Sequence, residues 1–347
     1  MKQRIQWIDV SKGLGIILII LGHVLEECTL RTWISSFHVP LFFVLSGMTC
    51  CITQKKSIPK FNVEVKNKFI RLMIPYFVFG GVTYTYWVLI ERRFRADLSV
   101  SPLKPLLGLF WGSGSDNLTF NAALWFLPCL FVVSCIFVLI LNIIKKRKLM
   151  ICSFVFLALL GIIIGRYSPI RLPWGVDISL FMIIFYAIGY YSYDFISDKI
   201  FNTSYNNKII IGIICLAITG VIGIINKGVA VASVQYGNEL LFITTSMSGT
   251  LLIVTIAQII GKNKIIETFG KSSLIIMGIH EPIRRIILKV ISVIIKIGVD
   301  EIRVNVLYSI IVCLITSIIS LIISIIINKI IPWPIGAYKL KRETVDA

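Results

Sequence analysis

The chain has 347 residues, of which 57% are hydrophobic and 15% charged, with a mean hydropathy of +0.89. This composition excludes an ordinary soluble domain and, with apolar runs that match the roughly 20 residues a helix needs to cross a bilayer, predicts an all-α polytopic integral membrane protein. The formal net charge of +18 does not indicate nucleic-acid binding, because the basic residues fall in short segments between apolar runs and not along one amphipathic surface.

About ten transmembrane helices are predicted, near residues 10–28, 37–52, 69–91, 122–143, 149–165, 177–194, 208–226, 239–260, 272–294 and 304–327. Lys and Arg are more numerous in the alternate loops that share a side with the amino terminus. Dense clusters at Lys55-Lys56 and Lys145-Lys146-Arg147-Lys148 place both termini in the cytoplasm. The first run lacks a small-residue cleavage pattern and is followed at once by another, so it reads as a retained helix. One bundle over residues 1–331 and a short basic cytoplasmic tail over 332–347 are the expected domains. Residues 92–121 hold too little material for a core of their own.

Within the first span, Lys12 and His23 bracket an otherwise apolar segment. Eleven positions make about three helical turns, so the two side chains share a face about 16 Å apart along the axis. Asp9 lies within about 40° of the same stripe. Ionisable groups are costly in hydrocarbon and ordinarily face a bundle interior or a wet cavity, where they mark a pathway or a reaction site.

The second span opens at Phe37-His38-Val39-Pro40 and carries the small pair Ser46-Gly47, which lets another helix or a ligand come near. His38 is read equally well as a functional group or as the start of a helix at the headgroups. At the entrance of the third span, Lys68 and Arg71 are three positions apart on one helical face. They suit a phosphate-bearing molecule, and equally the ordinary anchoring of a helix by positive residues on the inner side. The ninth span carries His280, Glu281, Arg284, Arg285 and Lys289 around Pro282, so it is expected either to break at the proline or to flank a water-filled cavity. The eight cysteines show no ligand-type spacing, and no metal site is predicted.

Taken together, Asp9-Val-Ser-Lys12-Gly13, Leu21-Gly22-His23, Phe37-His38-Val39-Pro40-Leu41-Phe42-Phe43, Ser46-Gly47, Arg71 with Pro75-Tyr76, and Leu124-Trp125-Phe126-Leu127 resemble the acyltransferase 3 membrane proteins. The resemblance is strongest to the branch of fucose 4-O-acetylases and intercellular adhesion C type polysaccharide modifiers. It covers the whole chain in layout and is richest in motifs over the first 130 residues.

The resemblance implies transfer of an acyl group, usually acetyl, from cytoplasmic acetyl-CoA or another acyl-CoA to a hydroxyl of an extracytoplasmic or lipid-linked glycan, in a bacterial plasma membrane. The family's basic residue, ten intervening residues and histidine are met by Lys12 and His23. Where the family has two arginines three apart, this chain has Lys68 and Arg71, which keeps the charge but loses one bidentate fork. The catalytic group expected is His23, with His280 and Glu281 beside it. His38, Ser46 and Trp125 are expected toward the acceptor, and Lys12, Lys68, Arg71 and Asp9 toward the donor.

An imidazole titrates near neutrality, so it can take the proton of a sugar hydroxyl as that oxygen attacks a thioester, or accept the acyl group itself. Asp9 is about four turns from His23, too far to orient the ring. Its carboxylate partner is expected to be Glu26 or Glu281. Arg92, Arg93, Arg284 and Arg285 read either as an oxyanion or glycan site or as solvated charge. The competing functional reading is a membrane transporter or flippase for a polysaccharide precursor, although the two halves show no convincing repeat and no helix breaks at matched positions.

Overall fold

A computed structural model describes residues 5–54, 58–94, 100–168, 170–200 and 202–330. Lys55, Lys56 and the tail over 332–347 lie outside the described residues. Helices account for the architecture, and no strand is formed among the described residues beyond one isolated bridge between Ala230 and Gln235. In chain order the principal helices are α1 (Gln6–Val24), α2 (Thr29–Ser35), α3 (His38–Gln54), α4 (Phe61–Phe94), α5 (Leu103–Trp111), α6 (Phe126–Ile143), α7 (Arg147–Tyr167), α8 (Val176–Phe195), α9 (Tyr205–Ile225), α10 (Glu239–Ile260), α11 (Lys264–Lys271), α12 (Ser273–Ile295), α13 (Val299–Val304) and α14 (Val306–Ile330).

Nine helical runs among the described residues are long and apolar enough to cross a membrane. The tenth long helix, α12, has the length but carries the charged group around Pro282. Burial separates centre from rim. The run ending in α6 is 72% buried, whereas α7 and α9 are 22% and 17% buried, so the latter two present mainly apolar side chains to lipid. The central pair is α3 against α8. A Cβ on Gly47 would lie 2.0 Å from the Tyr186 carbonyl oxygen, and one on Gly189 would lie 2.0 Å from that of Val44. The two backbones therefore touch at a reciprocal glycine crossing, the close approach that small residues permit in membranes. This is the structural use of the Ser46-Gly47 pair.

Three local features depart from a plain reading of the spans. The second run begins earlier than residue 37, as the short α2 capped onto α3. Within α4, Phe69–Met73 and Trp87–Glu91 form wide π turns. The first has a clear cause, since Pro75 has no N–H to give the carbonyl of Arg71. Residues 100–117 fold into α5 and a further turn, Gly114–Asn117, packed onto the bundle.

Candidate active site

The first helix is unbroken from Gln6 to Val24, so Asp9, Lys12 and His23 do ride one helix as their spacing requires. His23 sits in its last turn. Its Nδ1 lies 3.0 Å from Oε1 of Glu281, with side-chain exposures of 35% and 3%. The imidazole is thus half open while its carboxylate is sealed in the protein. Glu26, the other expected partner, is taken up elsewhere: Oε2 is 2.7 Å from Nη1 of Arg303.

Glu281 is held from its other side. Oε2 accepts from Nη2 of Arg284 and Nη1 of Arg285, each at 2.9 Å. Arg285 reaches further, donating from Nη2 to Glu91 Oε2 at 3.2 Å and to the Phe120 carbonyl. Buried charges persist only when paired and hydrogen-bonded, and this chain of two carboxylates and two guanidiniums meets that condition with no net charge. Arg284 and Arg285 are accordingly neither solvated nor free for a glycan: they support Glu281. Arg92 lies over the Trp87 ring and donates to the Val100 carbonyl at 2.8 Å.

His280 is fully buried, and its ring centroid lies 5.3 Å from that of His23. Its Nδ1 is 2.9 Å from the Ile276 carbonyl. A carbonyl only accepts, so Nδ1 carries a proton, and Nε2 has no hydrogen-bond partner. His38 is fixed the same way, with Nδ1 2.8 Å from the Ile34 carbonyl.

A narrow crevice adjoins His23 and His38, and neither His280 nor Glu281 lines it. His23, His38 and Trp125 line it with Ile19, Val39, Phe42, Ala123, Phe126 and Met277, and its volume of about 30 Å³ holds a water or two. His38 and Trp125 are therefore brought to the imidazole. Ser46 is not: it lies eight residues beyond His38, about 12 Å along α3, and takes no part in the lining.

The expected donor residues stand apart from the imidazole. Asp9 and Lys12 lie where α1 meets α11, and that contact is backbone to backbone: a Cβ on Gly13 would lie 2.1 Å from the Ile266 carbonyl oxygen, and one on Gly270 would lie 1.8 Å from that of Asp9. Lys68 and Arg71 lie on α4 beside α6. Lys68 is 3.7 Å from Glu64, and Arg71 is half-buried in the π turn without an ion pair among the described residues.

Ligand-type atoms of His23, His280 and Glu281 all lie within 4.8 Å of one another, a spacing that would suit a transition metal. Electrostatics oppose a cation there, because two guanidiniums already occupy the same carboxylate.

A family model described as an acyltransferase domain matches residues 5–327, nearly the whole chain. The chain belongs to the acyltransferase 3 family. No curated protein and no solved structure matches it. As a member of that family it is a multi-pass membrane acyltransferase. Sequence reasoning did not single out Glu91 or Asn121. Both are buried polar residues whose roles arise only from contacts with α12.

Proposed function

We propose that this protein is an O-acyltransferase that moves an acyl group, acetyl in the simplest case, from cytoplasmic acyl-CoA to a hydroxyl of an extracytoplasmic or lipid-linked glycan in a bacterial plasma membrane. The observation that carries the reading is the 3.0 Å contact between Glu281 and His23, the latter lining the crevice.

In this reading the Nδ1 of His23, 3.0 Å from the Glu281 carboxylate, carries the proton and Nε2 the lone pair. The acceptor hydroxyl gives its proton to Nε2 as its oxygen attacks the thioester carbonyl. The C–S bond then breaks, and the leaving thiolate takes the proton from the imidazolium, so the ring ends as it began. Glu281 stabilises the imidazolium while the charge exists and fixes its tautomer.

The donor reading assigns Lys12, Lys68 and Arg71 to the cytoplasmic end, where their cations suit phosphates. The pantetheine arm would extend along α1, over a distance comparable to the 16 Å or so between Lys12 and His23. Both termini are cytoplasmic in this arrangement. The resemblance to fucose 4-O-acetylases favours a polysaccharide acceptor.

The test is transfer of labelled acetyl from acetyl-CoA to glycan in reconstituted vesicles, compared between the wild type and His23→Ala. Label in the glycan with the wild type and none with a folded His23→Ala protein is expected. Equal labelling by both overturns the assignment of His23, and solute movement without labelling supports a carrier instead.

A further inference from the structure

Pro282 stands inside α12, directly after His280 and Glu281, yet the helix continues through it. In a regular helix the N–H of residue 282 would bond the carbonyl of residue 278, and proline has no N–H to give. A carbonyl left without a donor in the interior of a membrane bundle is costly. Here the Gly278 carbonyl accepts from the side-chain amide of Asn121, with Nδ2 at 2.8 Å. Asn121 is fully buried. Its Nδ2 is also 3.5 Å from Thr83 Oγ1, whose own proton goes to the Phe79 carbonyl at 2.7 Å. About one turn beyond the proline, Arg285 donates to the carbonyl of Phe120, the neighbour of Asn121. The segment just before the crevice wall at Ala123 and Trp125 is thus fastened to α12 on both sides of His280 and Glu281.

We propose that Asn121 is a positioning residue for the His23–Glu281–His280 group: its amide replaces the backbone donor that Pro282 removes, and so sets the angle at which α12 presents His280 and Glu281 to His23. The proline leaves the Gly278 carbonyl without its usual helical donor, and the Asn121 amide supplies one. That donor comes from the chain segment walling the crevice, so the wall and the proton-handling pair move as one body. The inference rests on the catalytic reading of His23.

A double-mutant cycle on the full-length protein in vesicles tests it. Asn121→Ala removes the donor, and Asn121→Asp keeps the shape but sets an oxygen against the carbonyl. Pro282→Ala restores the helical N–H and makes the outside donor dispensable. For Asn121→Ala, kcat is expected to fall about tenfold, with KM for acetyl-CoA unchanged, and Asn121→Asp is expected to be at least as impaired. In the Pro282→Ala background the same Asn121→Ala change is expected to cost about twofold or less. The same non-additivity is expected in thermal unfolding in detergent, a readout that needs no turnover.

Equal effects of Asn121→Ala in both backgrounds would overturn the proposal. So would a change in unfolding temperature with kcat untouched, since Asn121 would then support the fold alone. If His23→Ala retains activity while the unfolding cycle is non-additive, the catalytic reading fails and the link between Asn121 and Pro282 stands.

Discussion

His23 Nδ1 and Glu281 Oε1 meet at 3.0 Å across α1 and α12, the imidazole part open to a crevice and the carboxylate 3% exposed. Because Arg284 and Arg285 share the other oxygen of Glu281, the carboxylate meets the ring on one side and, together with Glu91, balances two buried guanidiniums on the other. Glu281→Gln keeps the shape and removes the charge. It is expected to lower stability by about 3–5 kcal/mol, the cost of leaving buried charge uncompensated, and to reduce acyl transfer by more than tenfold. Glu26→Gln is the contrast. Glu26 is 38% exposed beside Arg303, and pairs of that kind are worth about 0–1 kcal/mol. Unfolding in detergent and labelled transfer measured on both variants check the difference; equal behaviour would contradict the separate roles given to the two glutamates.

Features that depend on one helix were legible in the sequence. The stripe of Asp9, Lys12 and His23 follows from helical spacing alone, and the long apolar runs were visible to within a few residues apart from α2 and the start of α4, which begins at Phe61 and not at residue 69. Features that need two helices to meet were not. Nothing in the spacing chooses Glu281 over Glu26 as the partner of His23, because the choice depends on where α12 and α13 pack. Glu91 and Asn121 are silent for the same reason. One signal was present: a proline inside a membrane helix leaves a backbone carbonyl without its usual donor, but the sequence does not say that Asn121 supplies one. Ser46-Gly47 announced a close approach, and the helix that approaches at Gly47 is α8.

The clustering of His23, His280 and Glu281 within 4.8 Å makes metal dependence a direct question. A chelator such as EDTA is expected to leave transfer unchanged, since Arg284 and Arg285 already hold the carboxylate a divalent cation would need. Loss of activity on chelation, restored by added zinc, would show instead that the three side chains hold a metal ion.

Lys68 and Arg71 offer the donor-side test. Arg71 has no ion pair among the described residues, and Lys68 only a 3.7 Å one with Glu64. Charged hydrogen bonds to phosphate are worth about 1.5–3 kcal/mol, so Arg71→Met is expected to raise KM for acetyl-CoA by about tenfold or more while kcat changes little. Lys68→Arg restores the fork and is expected to lower KM. Steady-state kinetics with acetyl-CoA varied separates these outcomes from a general loss of fold, which would reduce the amount of active protein and leave KM in place.

Trp125 lines the crevice together with Ala123 and Phe126. With room for a water or two (about 30 Å³), the crevice must widen before a thioester enters, and the bulk of the indole sets how far. Trp125→Ala removes the largest side chain of the lining and is expected to relax the choice of acyl group. Each methylene admitted or refused by an apolar pocket is worth about 1–3 kcal/mol, so kcat/KM for propionyl-CoA relative to acetyl-CoA is expected to rise about tenfold. His38→Ala, on the same lining but tied to the Ile34 carbonyl, removes less bulk and is expected to leave that ratio within about threefold of the wild type. Competition between the two thioesters in one vesicle preparation measures the ratio directly. An unchanged ratio in Trp125→Ala would mean that the acyl group lies outside this crevice.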